Sequence, residues 1–444
     1  MYASRKERRT IFAPASGLGR AAVGIVRISG PSCRSALCAL IGAAPPPARR
    51  ATLKTLRNPA SGEELDRGLV LWFPGPASYT GEDAAELHVT GGRAVLAGVT
   101  AALAALDDLR PAEPGEFAWR AFENGKLDLS QVEGLADLVD AETQAQRRQA
   151  LRIAGGALSR EADAARTDIL NAMARVEAAI DFSDQEDVSE ATIGEAKVGA
   201  ASVATRLREI LRNADRGERL RDGFNVVIAG PPNVGKSTLL NALARRDVAI
   251  VSDIPGTTRD TLEVHLELRG LPIVLIDTAG IRETEDVIEK EGVARAKRRA
   301  AEADVILWLS DGALFGAAFE GLLKAPRLMV QTKADLKPKE ETPGVLAISA
   351  KTGEGIDQLL DSIAAAAEEQ LSGADQSLIS MARHRAAFEE ALVNLEQAMT
   401  ADPEAPELLA EDLRLAARAL ERIAGRIDVE DVLGEIFSRL CIGK

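Results

Sequence analysis

The chain has 444 residues, with 46% hydrophobic and 27% charged side chains and a formal net charge of −14 at pH 7. This length exceeds the ~250 to 300 residues of one hydrophobic core and therefore predicts two or three domains. The negative charge argues against indiscriminate nucleic-acid binding, because phosphates are held mostly by Lys and Arg. Three cysteines are too few for a disulfide framework, and no apolar run reaches the roughly 18 residues of a membrane span, so we expect a cytoplasmic protein without membrane contact.

Residues 1–120 combine strand-like and helical sequence patterns. Short runs of β-forming residues at 23–28 and 69–73 alternate with turns that contain Gly and Pro. One alanine-rich helix is predicted after Gly91 and Gly92. This mixture predicts an α+β N-terminal domain.

Two separated stretches, residues 121–216 and residues 372–444, show helical periodicity. Apolar residues of the first stretch recur on one helical face, namely Ile169, Met173, Val176 and Ile180. The second stretch repeats the pattern with Phe388, Leu392, Leu395 and Met399. We therefore predict one all-α helical domain whose two parts are separated by residues 217–371.

Residues 217–371 alternate short buried-strand runs with helical stretches, which predicts a parallel α/β sheet. The predicted fold class is therefore multidomain α/β, with a Ras-like P-loop GTPase domain inserted in the helical domain and preceded by the α+β domain. Because an inserted domain needs neighbouring ends, we expect the entry and exit of residues 217–371 to be adjacent.

A phosphate-binding loop is predicted at residues 230–237, Gly-Pro-Pro-Asn-Val-Gly-Lys-Ser, which match GxxxxGK[ST] between a strand and a helix. The glycines let backbone N–H groups surround the phosphates, and the helix N-terminus adds partial positive charge. Lys236 neutralises phosphate oxygens, and the Ser237 hydroxyl offers a ligand to Mg²⁺. The loop therefore predicts binding of a nucleoside triphosphate.

Three further elements, each directly after a buried strand, select the nucleotide. Residues 277–280 (Asp-Thr-Ala-Gly) place a carboxylate beside the metal and a glycine where a γ-phosphate is sensed. In residues 332–335 (Thr-Lys-Ala-Asp), Asp335 can accept two N–H bonds that guanine supplies and adenine does not. Residues 349–351 (Ser-Ala-Lys) suit contact with the guanine oxygen. The usual Asn of the base-reading element is Thr332 here, and the set predicts GTP.

The switch segment resembles that of potassium-assisted GTPases. Residue 281 is Ile, where Ras-like enzymes carry the glutamine that orients water, whereas Asn233 and residues 252–260 match the potassium-dependent class. In that class a monovalent cation supplies the charge of an arginine finger. The resemblance implies K⁺ ligands at Asn233, Ser252, Ile254 and Thr257 and Mg²⁺ ligands at Ser237 and Thr258. The alternative is an ordinary surface loop with a few hydroxyls.

The predicted GTP site combines the motif residues with those that this resemblance adds. It consists of Asn233, Val234, Gly235, Lys236, Ser237, Thr238, Ser252, Thr257, Thr258, Asp277, Thr278, Ala279, Gly280, Thr332, Lys333, Asp335, Ser349, Ala350 and Lys351.

Over its whole length the chain resembles the MnmE (TrmE) family of tRNA-modification GTPases. The flanking signatures lie at residues 23–30, at 78–83 with Glu86, at 114–117 (Pro-Gly-Glu-Phe), at 121–129 and at 441–444 (Cys-Ile-Gly-Lys). The resemblance implies homodimers and a heterotetramer with an MnmG-type FAD protein, so that FAD is used only through the partner. It further implies that the complex adds an aminomethyl or carboxymethylaminomethyl group to C5 of the tRNA wobble uridine.

Within that resemblance, the N-terminal domain is similar to the folate-binding part of aminomethyltransferases. The matching positions, Arg27, Glu86, Lys126 and Lys444, would hold a tetrahydrofolate one-carbon donor. Arg and Lys suit the glutamate carboxylates of a folate, and Glu86 suits its pterin edge. Taken singly, each of these residues is more often a surface charge.

The resemblance also implies a catalytic, water-positioning acid at Glu289, with Glu291 as a close competitor. The alternative is an ordinary solvated helix residue.

Other features leave alternatives open. Four arginines recur every fourth residue, and a solvated helix face is favoured over tRNA contact for Arg414, Arg418, Arg422 and Arg426. The role of Cys441 stays open, and no histidine shows metal-ligand spacing or is assigned to catalysis. The alternative function is a ribosome-assembly or regulatory GTPase without modification chemistry.

Overall fold

The structure is a computed structural model that describes most of the chain. The described residues are 9–17, 19–181, 186–231, 233–246, 248–250, 263–277, 303–311, 325–336, 343–402, 405–427, 433–434, 436–437, 440 and 443, with the side chains of 186–190 excepted. Contacts divide the chain into two compact units. Unit 1 is Met1–Ala136, Ala154–Ala164 and Leu420–Lys444, and unit 2 is Asp137–Ile153 and Ala165–Ala419.

Unit 1 contains a six-stranded sheet. Its strands are β1 (Thr10–Pro14), β2 (Val23–Ser29), β3 (Thr52–Arg57), β4 (Glu64–Phe73), β5 (Ala84–Thr90) and β6 (Leu109–Pro111). They lie in the order β3-β4-β5-β2-β1-β6, in which β1 and β6 are parallel and the other neighbours are antiparallel.

Two helices, α1 (Cys33–Ile41) and α2 (Arg93–Ala104), cover one face of this sheet. Because side chains alternate along a strand, Val26 and Ile28 of β2 and Leu87 of β5 point into that core, while the residues between them face the other way. Two further helices follow, α3 (Glu116–Glu123) and α4 (Leu129–Asp140). The face opposite α1 and α2 is therefore available to carry polar residues.

Helices follow one another from residue 144 to residue 222. They are α5 (Gln144–Ala154), α6 (Ala157–Asp181), α7 (Glu186–Leu211) and α8 (Ala214–Asp222). On the predicted face of α6, Ile169 and Val176 are fully buried, as the spacing of its apolar residues requires.

Unit 2 also contains a six-stranded sheet with one helix close to its start. The elements are β7 (Phe224–Ala229), α9 (Lys236–Ala244), β8 (Glu263–Leu268), β9 (Leu271–Asp277), β10 (Val305–Ser310), β11 (Arg327–Gln331) and β12 (Val345–Ala347). The order is β12-β11-β10-β7-β9-β8, and every pair is parallel except β8 with β9. The carboxyl ends of the five parallel strands therefore meet at one edge, where ligands bind in sheets of this kind.

The chain leaves the sheet through α10 (Ile356–Leu371) and continues in α11 (Ala382–Thr400) and α12 (Pro406–Glu421). The exit lies beside the entry: Arg219 of α8 donates to Gln370 across 3.0 Å, and a Cβ on Gly217 would overlap the carbonyl oxygen of Ile379. Close approach of backbones thus requires a glycine at residue 217. The expectation of adjacent ends is confirmed.

The predicted fold class is confirmed, with an α/β sheet that is parallel except for β8, helical stretches before and after it in the sequence, and a preceding α+β part. The domain boundaries after residues 120, 216 and 371 stay predictions. No helix within the described part of the chain is long and apolar enough to cross a membrane.

Candidate functional site

The phosphate loop lies at the carboxyl edge of the parallel sheet, between β7 and α9. Gly230 has φ +148°, and a Cβ there would overlap the carbonyl oxygen of Leu309, so only glycine fits. Gly235 precedes α9 with φ +107°. The Lys236 ammonium donates to the carbonyl oxygens of Gly230 (2.8 Å) and Pro231 (2.9 Å), which places its charge over the loop.

Two oxygen ligands for a divalent cation lie side by side at this edge. Asp277 ends β9, is 3% exposed, and accepts a 2.8 Å hydrogen bond from the Ser237 hydroxyl at the start of α9. The two residues are brought together because β9 is the parallel neighbour of β7. Magnesium prefers such hard oxygen ligands, and the pair therefore suits the metal of a nucleotide complex.

The base-reading element is tied to the phosphate loop by two hydrogen bonds. The buried Thr332 hydroxyl donates to the carbonyl oxygen of Val234 across 2.7 Å. The Lys333 ammonium donates to the carbonyl oxygen of Asn233 across 3.0 Å. Both Lys333 (φ 58°) and Asn233 (φ 62°) adopt left-handed backbone conformations, which are uncommon for residues other than glycine and cluster at functional sites.

The residues predicted to select guanine follow β11 and β12. The amide of Ala334 donates to the carbonyl oxygen of Ile348 (3.0 Å), which holds residues 332–335 next to residues 349–351. Asp335 is exposed, and the buried Ser349 accepts a 3.2 Å hydrogen bond from the amide of Thr352. One edge thus collects the predicted residues Asn233, Val234, Gly235, Lys236, Ser237, Thr238, Asp277, Thr332, Lys333, Asp335, Ser349, Ala350 and Lys351.

Several predicted site residues lie outside the described residues. They are Ser252, Ile254, Thr257, Thr258, Thr278, Ala279, Gly280, Glu289 and Lys444, together with Glu291 and Cys441. Their assignments stay predictions.

A second polar cluster lies in unit 1, on the sheet face opposite α1 and α2. Arg27 of β2 is directly opposite Glu86 of β5, and its Nη2 and Nε donate to Glu86 Oε1 across 2.9 and 3.2 Å. Arg27 Nη1 donates to the carbonyl oxygen of Gly443 (3.1 Å), and the guanidinium lies over the rings of Tyr79 and Phe117. The two predicted folate residues Arg27 and Glu86 are therefore in direct contact.

Lys126 is exposed and lies beside the loop of residues 78–83. Its side chain is next to Gly81, whose φ is +77°, and Asn124 donates to the carbonyl oxygen of Thr80 across 2.6 Å. Lys126 therefore lies against the same loop that carries Tyr79, whose ring is beside Arg27.

A buried ion network fixes the position of this loop. Arg120, 2% exposed, donates to Glu82 (3.0 Å) and Glu116 (2.9 Å), and Glu116 also accepts from Arg110 at 2.6 Å. The hydroxyl of Ser29 donates to Glu82 across 2.9 Å. Burial by itself raises the pKa of the Glu116 carboxyl, but hydrogen bonds from Arg110, the Glu113 amide and Arg120 outweigh it and hold that pKa below its usual range.

The sequence analysis quoted residues 78–83 and 114–117 as signatures but assigned no role to Glu82, Glu116 or Arg120. The sequence feature that could have indicated this ion network was the acidic residue in each signature, Glu82 and Glu116. The basic partner lies outside both signatures, at a sequence separation of 38 residues from Glu82. Such a pairing follows from tertiary structure and not from local spacing.

The C-terminal segment packs within unit 1. Phe437 is fully buried against Trp119 and Phe122, with ring centroids 5.1 and 6.2 Å away. Gly115 has φ +70°, and a Cβ there would overlap the Phe437 carbonyl oxygen. The glycine of the Pro-Gly-Glu-Phe signature is therefore required by this close approach.

The arginine stripe engages acidic side chains. Arg414 pairs with Glu411, and Arg426 pairs with Asp163 at 2.8 Å, all on exposed surface. The expectation that all four arginines share one helical face is wrong, because α12 ends at Glu421 and Arg422 and Arg426 lie in the turn that follows. Exposed ion pairs of this kind are typical of a solvated surface, which supports the favoured alternative over tRNA contact.

Comparison with known proteins gives matches to families over most of the chain. Residues 129–441 match the MnmE helical domain, and residues 10–126 match the family described as GTP-binding protein TrmE N-terminus. The tRNA modification GTPase MnmE of Methylobacterium sp. (strain 4-46) is 54% identical over 442 residues, covering 98% of this chain and 99% of the relative. The protein of the same name from Beijerinckia indica is 55% identical over 436 residues, covering 98% and 96%.

Among solved structures, Aquifex aeolicus Era bound to GDP and AlF4⁻ is 32% identical, with a TM-score of 0.25, and the match covers 32% of this chain and 56% of that one.

Proposed function

This chain belongs to the MnmE family of tRNA modification GTPases and is a GTP hydrolase of tRNA modification; we propose that it acts on the wobble uridine. The proposed product carries an aminomethyl or carboxymethylaminomethyl group at C5. The observation that supports GTP as the nucleotide is the joint placement of the phosphate loop, Asp277 and the Thr332–Asp335 element at one sheet edge.

We assign the nucleotide contacts by the chemistry of the residues at that edge. The Lys236 ammonium and the N-terminal amides of α9 bind phosphate oxygens, and Asp335 accepts two N–H groups of guanine. Ser237, Asp277 and, by resemblance, Thr258 fit a Mg²⁺ ion, since each offers a hard oxygen. Magnesium, when bound, adds positive charge at the β- and γ-phosphates.

Potassium stimulation is the second part of the proposal. It rests on Asn233, whose left-handed backbone lies in the phosphate loop, and on the resemblance of residues 252–260 to potassium-assisted enzymes. A monovalent cation held there supplies the charge of an arginine finger. Equal turnover in K⁺ and Na⁺ at fixed ionic strength would refute this part.

Glu289 is proposed to position the attacking water. The Glu289→Ala variant should bind GTP normally but lose most of its turnover, and Glu291→Ala is the matched comparison. Normal turnover of Glu289→Ala together with loss in Glu291→Ala would move the role to the second acid.

A tetrahydrofolate one-carbon derivative is proposed to bind near Arg27, Glu86, Lys126 and Lys444. The cluster fits such a ligand, because a half-buried carboxylate that is already oriented can accept an N–H group at its remaining acceptor site, and the basic residues suit glutamate carboxylates. The bound folate supplies the one-carbon unit. Arg27 also neutralises the charge of Glu86, and its guanidinium lies over the rings of Tyr79 and Phe117.

The proposed assembly is a homodimer that joins an MnmG-type FAD protein in a heterotetramer, with tRNA as substrate and a cytoplasmic location. Size-exclusion chromatography with light scattering, alone and with an FAD-containing partner of that type, tests both stoichiometries. A monomer that does not associate with the partner would refute this part.

The decisive experiment is mass spectrometry of nucleosides from the tRNA of cells that lack this chain. Re-expression of the wild-type chain should restore C5-modified wobble uridine, whereas Lys236→Ala should not. Unchanged modification in cells without the chain would favour the alternative, a ribosome-assembly or regulatory GTPase.

A further inference from the structure

The carboxylate of Glu86 is held at both of its oxygens by different residues. Arg27 donates twice to Oε1, at 2.9 and 3.2 Å, and the Nε2 atom of His88 lies 3.3 Å from Oε2. Because an ionised carboxylate only accepts hydrogen bonds, His88 must donate through Nε2–H. All three side chains are between one fifth and one third exposed, so the carboxylate stays open to a ligand.

Strand geometry places His88 for this contact. Glu86 and His88 are two residues apart on β5, so their side chains lie on the same face of the sheet. The neighbours of His88 across the strands are Ile25 and Leu69, neither of which has a charge. On β4, Gly68 lies so close that a Cβ would overlap the carbonyl oxygen of His88. The backbone of His88 is therefore fixed, and Glu86 is the charged group that its ring meets.

The contact with His88 restricts a rotation of the Glu86 carboxylate that the hydrogen bonds from Arg27 alone still allow. A glutamate side chain has three rotatable bonds, and donors on a single oxygen let the carboxylate plane turn about that oxygen. A donor on the second oxygen fixes the plane. Arg27 uses both acceptor sites of Oε1, and His88 uses one of the two on Oε2. Binding an N–H group at the remaining site requires Oε2 to be held in a fixed direction, and geometry of this kind depends on residues that hold the binding group from behind.

We propose that His88 is a positioning residue that orients the Glu86 carboxylate, so that the acceptor site left on Oε2 points toward an N–H group of a reduced pterin. The proposal rests on the folate function proposed above. His88 acts through Glu86 and makes no ligand contact of its own. A glutamine at residue 88 can donate the same hydrogen bond, whereas a leucine fills similar space without a donor.

The test measures binding of 5-formyltetrahydrofolate to the full-length protein by isothermal titration calorimetry. His88→Leu should weaken binding about tenfold or more, the effect of losing one hydrogen bond to a charged group, and His88→Gln should bind nearly as tightly as wild type. Glu86→Gln should bind at least about tenfold more weakly. In the His88→Leu/Glu86→Gln double variant the histidine change should add nothing further, because a residue that acts through another is non-additive with it.

Thr55→Leu is the matched control, since it adds leucine to the same outward face one row away, on β3, opposite Arg67 and not Glu86. It should leave binding and GTP hydrolysis unchanged. Thermal unfolding of each variant near the wild-type temperature excludes a general loss of structure.

Three results would overturn the proposal. An unchanged affinity of His88→Leu, with Glu86→Gln impaired, would leave the folate site in place and remove His88 from it. An equal loss for His88→Leu in both backgrounds would mean that the ring acts independently of Glu86. Absence of binding by the wild-type protein would refute the folate function itself, and with it the need to orient Glu86.

Discussion

The Thr332 hydroxyl donates a 2.7 Å hydrogen bond to the main-chain carbonyl oxygen of Val234, joining the base-reading element to the phosphate loop. A threonine hydroxyl has one proton to donate, and here that proton is used in the hydrogen bond to the Val234 carbonyl oxygen. In the proposed GTP site, recognition of guanine is then left to the carboxylate of Asp335 and the segment of Ser349. Thr332, which stands where asparagine is usual, therefore keeps the hydrogen bond between the two loops but has no second hydrogen-bond donor.

Thr332→Val should weaken GDP binding about tenfold, because it leaves the buried Val234 carbonyl without its side-chain donor. Thr332→Asn should bind at least as tightly as wild type, since the amide keeps the bond to Val234 and adds an N–H. Titration of a fluorescent GDP derivative measures both. Thr205→Val, on the exposed surface of α7, removes a hydroxyl that bonds only within its own helix and should bind normally. Normal binding by Thr332→Val would show that the link does not support the site.

The buried Glu116 predicts acid sensitivity of unit 1. Its pKa is lowered in the folded state, because hydrogen bonds from Arg110 and Arg120 outweigh the cost of burial. A lowered pKa means stabilisation that is fully present above the unfolded value, near ~4.3, and is lost as pH falls through the folded value. Glu116→Gln should therefore lower the free energy of unfolding at pH 7 by about 3 kcal/mol, and the difference from wild type should shrink toward pH 3.

Urea unfolding followed by tryptophan fluorescence at both pH values measures this difference. Glu64→Gln is the control, because Glu64 pairs with Arg57 on exposed surface, each side chain being about half exposed, and such pairs contribute about 0 to 1 kcal/mol. A Glu116→Gln variant as stable as Glu64→Gln at pH 7 would contradict the assigned role.

Local spacing was enough to predict the sheet of unit 2 and to predict which of the described motif residues lie at one of its edges. The phosphate loop is contiguous in sequence, and Asp277 and Thr332 lie at the ends of apolar runs that become parallel strands of one sheet, β9 and β11. Strand order then places their ends together. Pattern-based analysis succeeds here because the functional groups are fixed by elements only a few residues long.

The N-terminal cluster was predictable only in part. Resemblance supplied Arg27 and Glu86, but His88 was not assigned a role, and the contact from Arg27 to Gly443 spans 416 residues. No periodicity encodes a pairing at that separation. The tertiary structure was needed to show that Arg27 and Glu86 lie opposite each other on β2 and β5, and that His88, two residues further along β5, contacts the same carboxylate.

The Tyr79 hydroxyl is buried and has no hydrogen-bond partner within the described part of the structure. An unpaired buried hydroxyl costs stability, and burial also raises its pKa, with partial opposition from Arg27. Tyr79→Phe should therefore raise the free energy of unfolding by about 1 kcal/mol, while the ring keeps its place beside Arg27. Urea unfolding measures the change. A less stable variant would show that the hydroxyl has a partner in solution.

Alanine substitutions at Gly115 and Gly125 allow the cost of backbone strain to be measured separately from the cost of steric overlap. Gly115 (φ +70°) and Gly125 (φ +66°) adopt nearly the same left-handed conformation, so alanine should cost about 1 kcal/mol of unfolding free energy at either from strain alone. A Cβ on Gly125 meets nothing within 4 Å, whereas one on Gly115 overlaps the carbonyl oxygen of Phe437. Gly115→Ala should therefore cost a further 1 to 3 kcal/mol, roughly the price of overpacking.

The additional loss should be accompanied by displacement of the segment around Phe437, because the overlap is with backbone and no side-chain rotation relieves it. Hydrogen exchange should increase in residues 433–443 of Gly115→Ala but not of Gly125→Ala. Since Gly443 binds Arg27 through its carbonyl, the same displacement should weaken folate binding in the first variant alone. Equal stability and exchange in both variants would mean that the C-terminal segment does not pack against the Pro-Gly-Glu-Phe signature in solution.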